Sequence, residues 1–328
     1  MSKIRLVMTC GGEPNKELLK KFDSKYDVEQ ITDNKSDEEL INAIKDADVV
    51  YLGGDDYFSK KVLENAPKLK LLAFGGTGYE SYIDAKAATE LGIAITNTPE
   101  ANSDTVAEFA IGLLLSLQRN ITMTNNLTKK GIWNRMVSRE IKGQEIGIIG
   151  MGAIASRVAR ILVKGFGAKV SYFNRTRIKE IENELKINYK SKEDLLKESD
   201  VVFIAITENE STWNFIDKKE FDLMKDTAIL IDPARPKLIN PAALFDALSN
   251  KKIKGCAMDG YYTEPDKDKY GLLKLDDSTF ISTSYIACRT TDAWDRTDDI
   301  AFTSIKDFFE TGTSDKIVTP EFEKNRRK

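Results

Sequence analysis

Short apolar runs alternate with amphipathic stretches along the chain, and this alternation restricts the fold more than any other feature. The runs have the length of strands, whereas the stretches between them repeat apolar residues at helical spacing. In the first third we predict strands over residues 4–8, 28–31, 49–52, 69–74 and 93–96, and helices over 17–22, 37–45, 60–65 and 85–91. Ser36 and Glu39 predict a capping box before the second of these helices. The pattern predicts an α/β fold with a mostly parallel sheet covered by helices on both faces.

The alternation stops once and then starts again, which predicts two domains. Residues 103–127 have helical spacing and no strand inside, so we expect one long helix that crosses between domains. Further strands are predicted over 145–149, 169–173, 201–206, 228–231, 255–259 and 279–281, and helices over 153–164 and 291–309. A chain of 328 residues also exceeds the roughly 250–300 that one core usually holds. We expect one domain from residues 1–100 with 290–328, and another from 101–289.

Composition excludes several classes of protein. With 41% hydrophobic and 31% charged residues, the chain is typical of a soluble globular protein. Its net charge of -3 gives no field that would attract nucleic acid or an anionic membrane, and no apolar run approaches the roughly 18 residues of a membrane span. The three cysteines are far apart and match no ligand or disulfide spacing, which favours a cytoplasmic protein. Because the chain has no histidine, metal sites built on imidazole are excluded, and we expect no metal.

A phosphate-binding turn is the clearest motif. The apolar run 145–149 leads into Gly150-Met151-Gly152-Ala153-Ile154-Ala155, and a helical pattern follows. Gly150 permits a tight turn, Gly152 permits close approach to a pyrophosphate, and Ala155 permits close packing of helix and strand. The N–H groups at the start of the helix, from Ala153 and Ile154 onward, suit phosphate. The motif in this context predicts dinucleotide binding.

The end of the next predicted strand indicates which dinucleotide binds. About 20 residues after the glycines, where NAD enzymes place an acidic residue, the chain has Asn174, Arg175, Thr176 and Arg177. Asn174 is neutral, and the two arginines are able to pair with a 2′-phosphate. We therefore expect NADP (NADPH), with NAD less favoured. The alternative is that these arginines belong to a solvated loop.

Motifs spread over residues 69–295 resemble those of the D-isomer-specific 2-hydroxyacid dehydrogenases. In order, they are 69–84, 97–99, 106–108, 131–133, 142–152, 199–202, 234–235, Asp259 and 264–265. The resemblance implies two Rossmann-like, doubly wound domains: a flavodoxin-like substrate domain and an NAD(P)-binding Rossmann domain. It also implies an NAD(P)-dependent oxidoreductase, with its site in a cleft at the carboxyl ends of the second domain's strands.

The resemblance also implies roles for individual residues on the substrate side. The loop with Gly76, Thr77 and Gly78 corresponds to the one that binds the substrate carboxylate through backbone N–H groups. Arg235 corresponds to the arginine that binds and polarises a 2-oxo acid. Glu264 corresponds to the glutamate that pairs with the proton-donating histidine.

On the cofactor side, the resemblance implies four further contacts. Asp259 matches the residue that holds the nicotinamide carboxamide, and Ser103 stands where the family has a hydroxyl near the cofactor. Thr207 and Ala234 lie in motifs that line the cofactor in the family. A small-molecule substrate with a carboxylate is implied, as is a homodimer formed through the cofactor domain. Residues 106–121 are a candidate dimer contact and equally candidate core.

The catalytic histidine of the family is missing, and Tyr285 occupies its position; a second family histidine corresponds to Ala205. With an ordinary pKa near 10, a tyrosine stays protonated at neutral pH and is able to donate a proton, but it is a poor base. We therefore expect reduction of a 2-oxo acid or related carbonyl or imine, with Tyr285 as proton donor. Glu264 is an alternative acid. The other alternative is a catalytically inactive NAD(P)-binding regulatory or sensor protein on the same fold.

Overall fold

The computed structural model describes residues 3–9, 20, 22, 25–32, 35–54, 56–261 and 268–327. Its contacts divide the chain into two compact units. Unit 1 comprises Met1–Asn102 and Thr290–Lys328, and unit 2 comprises Ser103–Arg289. Among the helices in the described part of the chain, none combines the length and apolar character needed to cross a bilayer.

Unit 1 contains a five-stranded parallel sheet in the order β2-β1-β3-β4-β5. Its strands are β1 (Ile4–Thr9), β2 (Tyr26–Ile31), β3 (Val49–Leu52), β4 (Leu71–Phe74) and β5 (Ala94–Thr96). Its helices are α1 (Asp37–Ile44), α2 (Lys60–Glu64), α3 (Ala85–Glu90) and the last of the chain, α11 (Thr291–Thr311). The strand order is that of flavodoxin-like folds. The predicted doubly wound parallel sheet is therefore confirmed for this unit.

Apolar side chains cover both faces of the unit 1 sheet. One layer packs α1, α2 and α3 on the sheet, and the other packs the apolar face of α11. The predicted capping box opens α1: the Glu39 N–H donates to Ser36 Oγ, and the Ser36 N–H donates to a Glu39 carboxylate oxygen. The helix predicted over 17–22 falls largely outside the described residues.

Unit 2 contains a seven-stranded parallel sheet in the order β12-β11-β10-β9-β6-β7-β8. Its strands are β6 (Glu145–Ile149), β7 (Lys169–Phe173), β8 (Asn188–Tyr189), β9 (Val201–Ile204), β10 (Ile229–Asp232), β11 (Gly255–Asp259) and β12 (Phe280–Thr283). Its helices are α4 (Ser103–Gln118), α5 (Ile121–Lys129), α6 (Ala153–Arg160), α7 (Lys179–Leu185), α8 (Lys192–Glu198), α9 (Lys218–Leu223) and α10 (Pro241–Ser249). The order reverses between β6 and β9, as in Rossmann folds, which confirms the predicted class.

The single helix predicted over 103–127 is wrong, because the chain breaks it into α4 and α5. Asn120 adopts a left-handed conformation, with φ of 54°, and no residue there continues the helix. Asparagine accepts this conformation more readily than most residues, and the Asn120 carbonyl accepts a hydrogen bond from Thr124 Oγ1 at 2.7 Å. The apolar side chains of α4 pack in the unit 2 core, so the core interpretation holds for them.

Two smaller differences have local causes. The helix predicted over 153–164 ends as α6 at Arg160 and continues as a π-helical turn, Ile161–Gly165. The strand β8 was not predicted, because two residues are too few to show a period. It pairs with β7 at the edge of the sheet.

Candidate active site

The order of strands in the unit 2 sheet reverses between β6 and β9, and Gly150 directly follows β6 at that point. Its φ is 93°, which favours glycine, and a Cβ there would stand 2.4 Å from the carbonyl oxygen of Ala205, after β9. Ligands of open α/β sheets bind in the crevice where the strand order reverses. The sequence motif therefore falls where the fold offers a nucleotide site.

The N-terminus of α6 faces open space. A Cβ on Gly152, the residue that caps α6, would meet no described atom within 4 Å. No described side chain caps the helix, so its first N–H groups, including those of Ala153 and Ile154, keep their donors for a ligand. An uncapped helix N-terminus beside a glycine without steric neighbours fits a pyrophosphate.

The segment after β7 is tied back to the sheet. Asn174 Nδ2 donates to the Thr176 carbonyl at 3.0 Å, and Tyr189 Oη donates to the Asn174 carbonyl at 3.2 Å. Arg175 is exposed and makes no hydrogen bond or ion pair with any described residue. Its guanidinium is therefore available for an anion.

Arg177, by contrast, is already paired. Its Nε and Nη2 donate to the two carboxylate oxygens of Glu182 at 2.8 and 2.7 Å. Tyr172 Oη donates to the same carboxylate at 2.9 Å and accepts from the Ile178 N–H. The Arg177 bonds lower the pKa of Glu182, and Glu182 raises the pKa of Arg177. The Glu182 carboxylate thus neutralises much of the Arg177 charge that we expected to pair with a 2′-phosphate.

Arg235 follows β10 in a turn built by Asp232. The Oδ1 atom of Asp232 accepts from the N–H groups of Ala234 at 2.9 Å and Arg235 at 3.3 Å. The guanidinium folds over the turn, and its Nη1 donates to the Ala234 carbonyl at 2.8 Å. Arg235 is half-buried and follows the carboxyl end of β10.

Tyr285 lies in a loop after β12 that Asp259 holds in place. Asp259 Oδ1 accepts from Thr283 Oγ1 and from the Ile286 N–H at 3.0 Å, and Oδ2 accepts from the Ala287 N–H at 2.8 Å. Asp259 is thus bonded to Thr283, two positions before Tyr285, and to the two residues directly after it. Asp259 was predicted to hold a nicotinamide carboxamide; in unit 2 it fixes the tyrosine loop.

The Arg235 and Tyr285 side chains stack on each other. The guanidinium carbon lies 4.9 Å from the centre of the phenol ring. Tyr285 has a φ of 59°, unusual for a residue with a side chain, and a Cβ on Gly260 would stand 2.9 Å from its ring. The two side chains thus start from the ends of β10 and β12, which lie on either side of β11 in the sheet.

Of the other predicted residues of unit 2, three are described by the structure and one is not. Thr207 is exposed after β9, Ala234 lies in the turn before Arg235, and Ser103 is buried at the start of α4. Glu264 lies outside the described residues, so its pairing with Tyr285 stays a prediction.

The glycine loop of unit 1 follows β4. Asn97 Nδ2 donates to the Thr77 carbonyl at 3.1 Å, and the Thr98 N–H donates to the Gly76 carbonyl at 2.9 Å. A Cβ on Gly76 would collide with the Phe74 ring at 2.7 Å, whereas one on Gly78 would meet no described atom within 4 Å. Two carbonyls of the loop are thus held by residues that follow β5, which fixes the backbone of the loop.

Comparison with known proteins identifies the family. Residues 111–287 match the family model described as D-isomer specific 2-hydroxyacid dehydrogenase, NAD binding domain. The chain belongs to the D-isomer-specific 2-hydroxyacid dehydrogenases. These enzymes are NAD(P)H-dependent oxidoreductases that act on small molecules, and the predicted family and enzyme class are confirmed.

Several relatives within the dehydrogenase family are named for one activity. The glyoxylate reductase of Pyrococcus horikoshii is 35% identical over 269 residues, which cover 79% of this chain and 80% of the relative. The glyoxylate reductase of Aeropyrum pernix is 37% identical over 261 residues, 76% of each chain. A crystal structure of a glyoxylate reductase from Paecilomyes thermophila has a TM-score of 0.85 at 25% identity and covers 98% of this chain and 99% of that one.

One residue that shapes this dehydrogenase's candidate site was not predicted from the sequence. Asp232 is the last residue of an apolar strand, and the sequence 228–232 does show a carboxyl group at the strand's end. That position was a signal, because strand ends of parallel sheets carry functional side chains. Its burial and its bonds to the Arg235 turn required the structure.

Proposed function

We propose that the protein is an NADPH-dependent reductase of a small 2-oxo acid, with Tyr285 as proton donor. The observation that supports this most directly is the Arg235 guanidinium stacked on the Tyr285 ring at 4.9 Å. Arg235 offers a cation that is able to bind a carboxylate, and beside it Tyr285 offers a phenol that is able to donate a proton. Glyoxylate is the first substrate to test, because the relatives at 35–37% identity are named glyoxylate reductases.

The cofactor would be held by the turn at Gly150–Gly152 and by the segment after β7. The N–H groups of α6 would bind the pyrophosphate, and Arg175 would pair with the 2′-phosphate of NADP. When bound, NADPH supplies the hydride that reduces the carbonyl carbon. We assign the 2′-phosphate to Arg175 rather than Arg177, because Arg177 is paired with Glu182.

Arg235 would bind the substrate carboxylate and polarise the neighbouring carbonyl. A guanidinium presents paired donors that match a carboxylate. Its only hydrogen bond with a described acceptor is to the Ala234 carbonyl, so further N–H groups remain for a substrate. The glycine loop of Gly76, Thr77 and Gly78 stays a predicted carboxylate-binding loop.

Tyr285 would give its phenolic proton to the carbonyl oxygen as charge develops there. The phenol becomes negative as the proton leaves, and the Arg235 guanidinium beside its ring stabilises that charge. The phenolate then regains a proton from water, so that Tyr285 is protonated again for the next turnover. Because the phenol is a weak base at neutral pH, the same site favours reduction over oxidation of the alcohol.

The test is NADPH oxidation with a panel of 2-oxo acids that begins with glyoxylate. We expect turnover in the wild type and a loss of roughly 10²–10⁴-fold in kcat for Tyr285→Phe, the usual range for a general acid. Tyr270→Phe, at an exposed tyrosine of the same unit, is the matched control and should keep wild-type kcat. Unchanged turnover in Tyr285→Phe would rule out the phenol as donor. NADPH binding without turnover of any panel member would favour the non-catalytic sensor alternative.

We also propose that the protein forms a homodimer through residues 131–140 of unit 2. This extended segment carries large apolar side chains that are exposed within the chain, among them Trp133 at 81% and Val137 at 97%. Contiguous exposed apolar groups of this size are typical of protein interfaces. We propose this segment instead of 106–121 as the contact, because most apolar side chains of α4 are buried within the chain.

A further inference from the structure

Asp232 is a buried carboxyl group at the carboxyl end of β10, directly before the Arg235 turn. Its side chain is completely buried. Oδ1 accepts two backbone N–H groups of that turn, whereas Oδ2 has no hydrogen-bond partner among the described residues. Buried polar atoms without a partner are costly, and they are rare in proteins. The position therefore needs an explanation in terms of the site.

The turn connects this carboxyl group to the guanidinium. Arg235 is held at its own N–H by Asp232 and at its Nη1 by the Ala234 carbonyl, two residues after the aspartate. The carboxyl group thus fixes the part of the chain from which the arginine side chain starts. If the turn lost Asp232, the guanidinium would lose its fixed place over Tyr285.

Two described charged groups act on Asp232, Arg235 and Glu208. Arg235 faces it from its own turn, and Glu208, after β9, faces it with its carboxylate paired to Lys237 at 3.3 Å. From β11 it faces Cys256, whose pKa burial raises well above its usual value, so that the thiol stays neutral. Burial raises the pKa of Asp232 to about 7, against the lowering effect of Arg235 and its own N–H bonds. Its proton is therefore exchanged near neutral pH.

We propose that Asp232 is a positioning residue for Arg235, and that its proton controls how strongly the arginine binds an anionic substrate. This proposal rests on the proposed function of Arg235. Protonated Asp232 leaves the guanidinium charge available for the substrate carboxylate. Ionised Asp232 offsets part of that charge, because the Arg235 guanidinium and the buried carboxylate interact electrostatically. Substrate affinity should therefore fall as pH rises through the pKa of Asp232.

The experiment measures kcat and KM for glyoxylate with saturating NADPH from about pH 5.5 to about pH 8.5. We expect the wild-type KM to rise roughly three- to tenfold over this range, with a smaller change in kcat. Asp232→Asn keeps the acceptor oxygen but cannot ionise, so its KM should stay near the wild-type value at low pH. Asp232→Ala removes the acceptor and should raise KM about tenfold at every pH, with NADPH affinity unchanged.

The matched control is Asp276→Asn, at an exposed aspartate that also accepts a backbone N–H, from Ser278, but lies before β12. It should keep the wild-type pH dependence. The positioning role would be refuted by a KM that varies with pH in Asp232→Asn as it does in the wild type, or by equal KM values in the Asn and Ala variants.

A second readout separates this inference from the proposed function. Oxalate, a non-reacting dicarboxylate, is titrated calorimetrically into the NADPH complex of each variant over the same pH range. Weaker oxalate binding at high pH in the wild type, lost in Asp232→Asn, supports the role of Asp232 even if no 2-oxo acid is reduced. Absence of turnover then refutes the reductase proposal alone. Oxalate binding that is independent of pH in the wild type overturns the role of Asp232.

Discussion

Replacing Asp232 with asparagine should change how the stability of the protein depends on pH. The folded chain buries this carboxyl group completely, and one of its oxygens has no partner in the described part of the chain, whereas the unfolded chain exposes it to water. Burial raises the pKa in the folded state to about 7 from an ordinary value of 3.8. The folded state therefore keeps a proton that the unfolded state releases between these two pH values.

The sign and size of the effect follow from this difference. Below an ordinary aspartate pKa both states are protonated, and the group adds no pH dependence. As pH rises toward 7, only the unfolded state loses its proton, so the free energy of unfolding decreases by about 1.4 kcal/mol per pH unit. Above the folded-state pKa the loss is constant, at about 4 kcal/mol for a gap of roughly three pKa units.

The assay is urea unfolding of wild type and Asp232→Asn at about pH 4.5 and about pH 8, followed by circular dichroism. The amide also leaves one buried group without a partner, but that cost of about 1–3 kcal/mol does not depend on pH. The difference between the two variants should therefore shift by about 2–4 kcal/mol in favour of asparagine as pH rises. A difference that stays constant with pH would refute the reasoning.

Two further predictions concern unit 2. Arg175→Ala should weaken NADPH binding roughly 10–100-fold and leave NADH binding unchanged, which calorimetry measures; Arg177→Ala should weaken it less, because Arg177 is paired with Glu182. Equal affinities of the wild type for NADPH and NADH would contradict this. Trp133→Asp with Val137→Asp should convert a dimer to a monomer in light scattering, at a cost above about 2 kcal/mol. Leu273→Asp, another exposed apolar position of unit 2, should not, and an unchanged mass in the double variant would exclude this contact.

Much of this architecture was predictable because period and local motif determine it. Eleven of the twelve strands observed in the described residues lie within a few residues of those predicted, and Gly150 follows β6 at the reversal of strand order. The break at Asn120 was not predictable, since the apolar period of 103–127 continues across it and only the backbone conformation interrupts the helix.

The sequence predicted which residues form the candidate site, but not the contacts between them. The sequence indicates Arg235 and Tyr285, yet their stacking depends on two turns that are 50 positions apart in the chain. The bonds of Asp259 to Ile286 and Ala287 span 27 and 28 positions, and no local pattern encodes them. The sequence assigned Arg177 to a 2′-phosphate or to a solvated loop, because nothing in it shows that Glu182, five positions later, pairs with the guanidinium. Long-range contacts therefore decide which charges remain for ligands.

The left-handed backbone of Tyr285 has a consequence for how this family member could evolve. A non-glycine residue in that conformation raises the energy of the folded state by about 1–2 kcal/mol, and the three hydrogen bonds of Asp259 offset this. Selection for stability alone would favour glycine at position 285, which relaxes the backbone and discards the phenol. A tyrosine at this position therefore lowers the stability of the folded state, and what the protein gains is a phenol held at a fixed place.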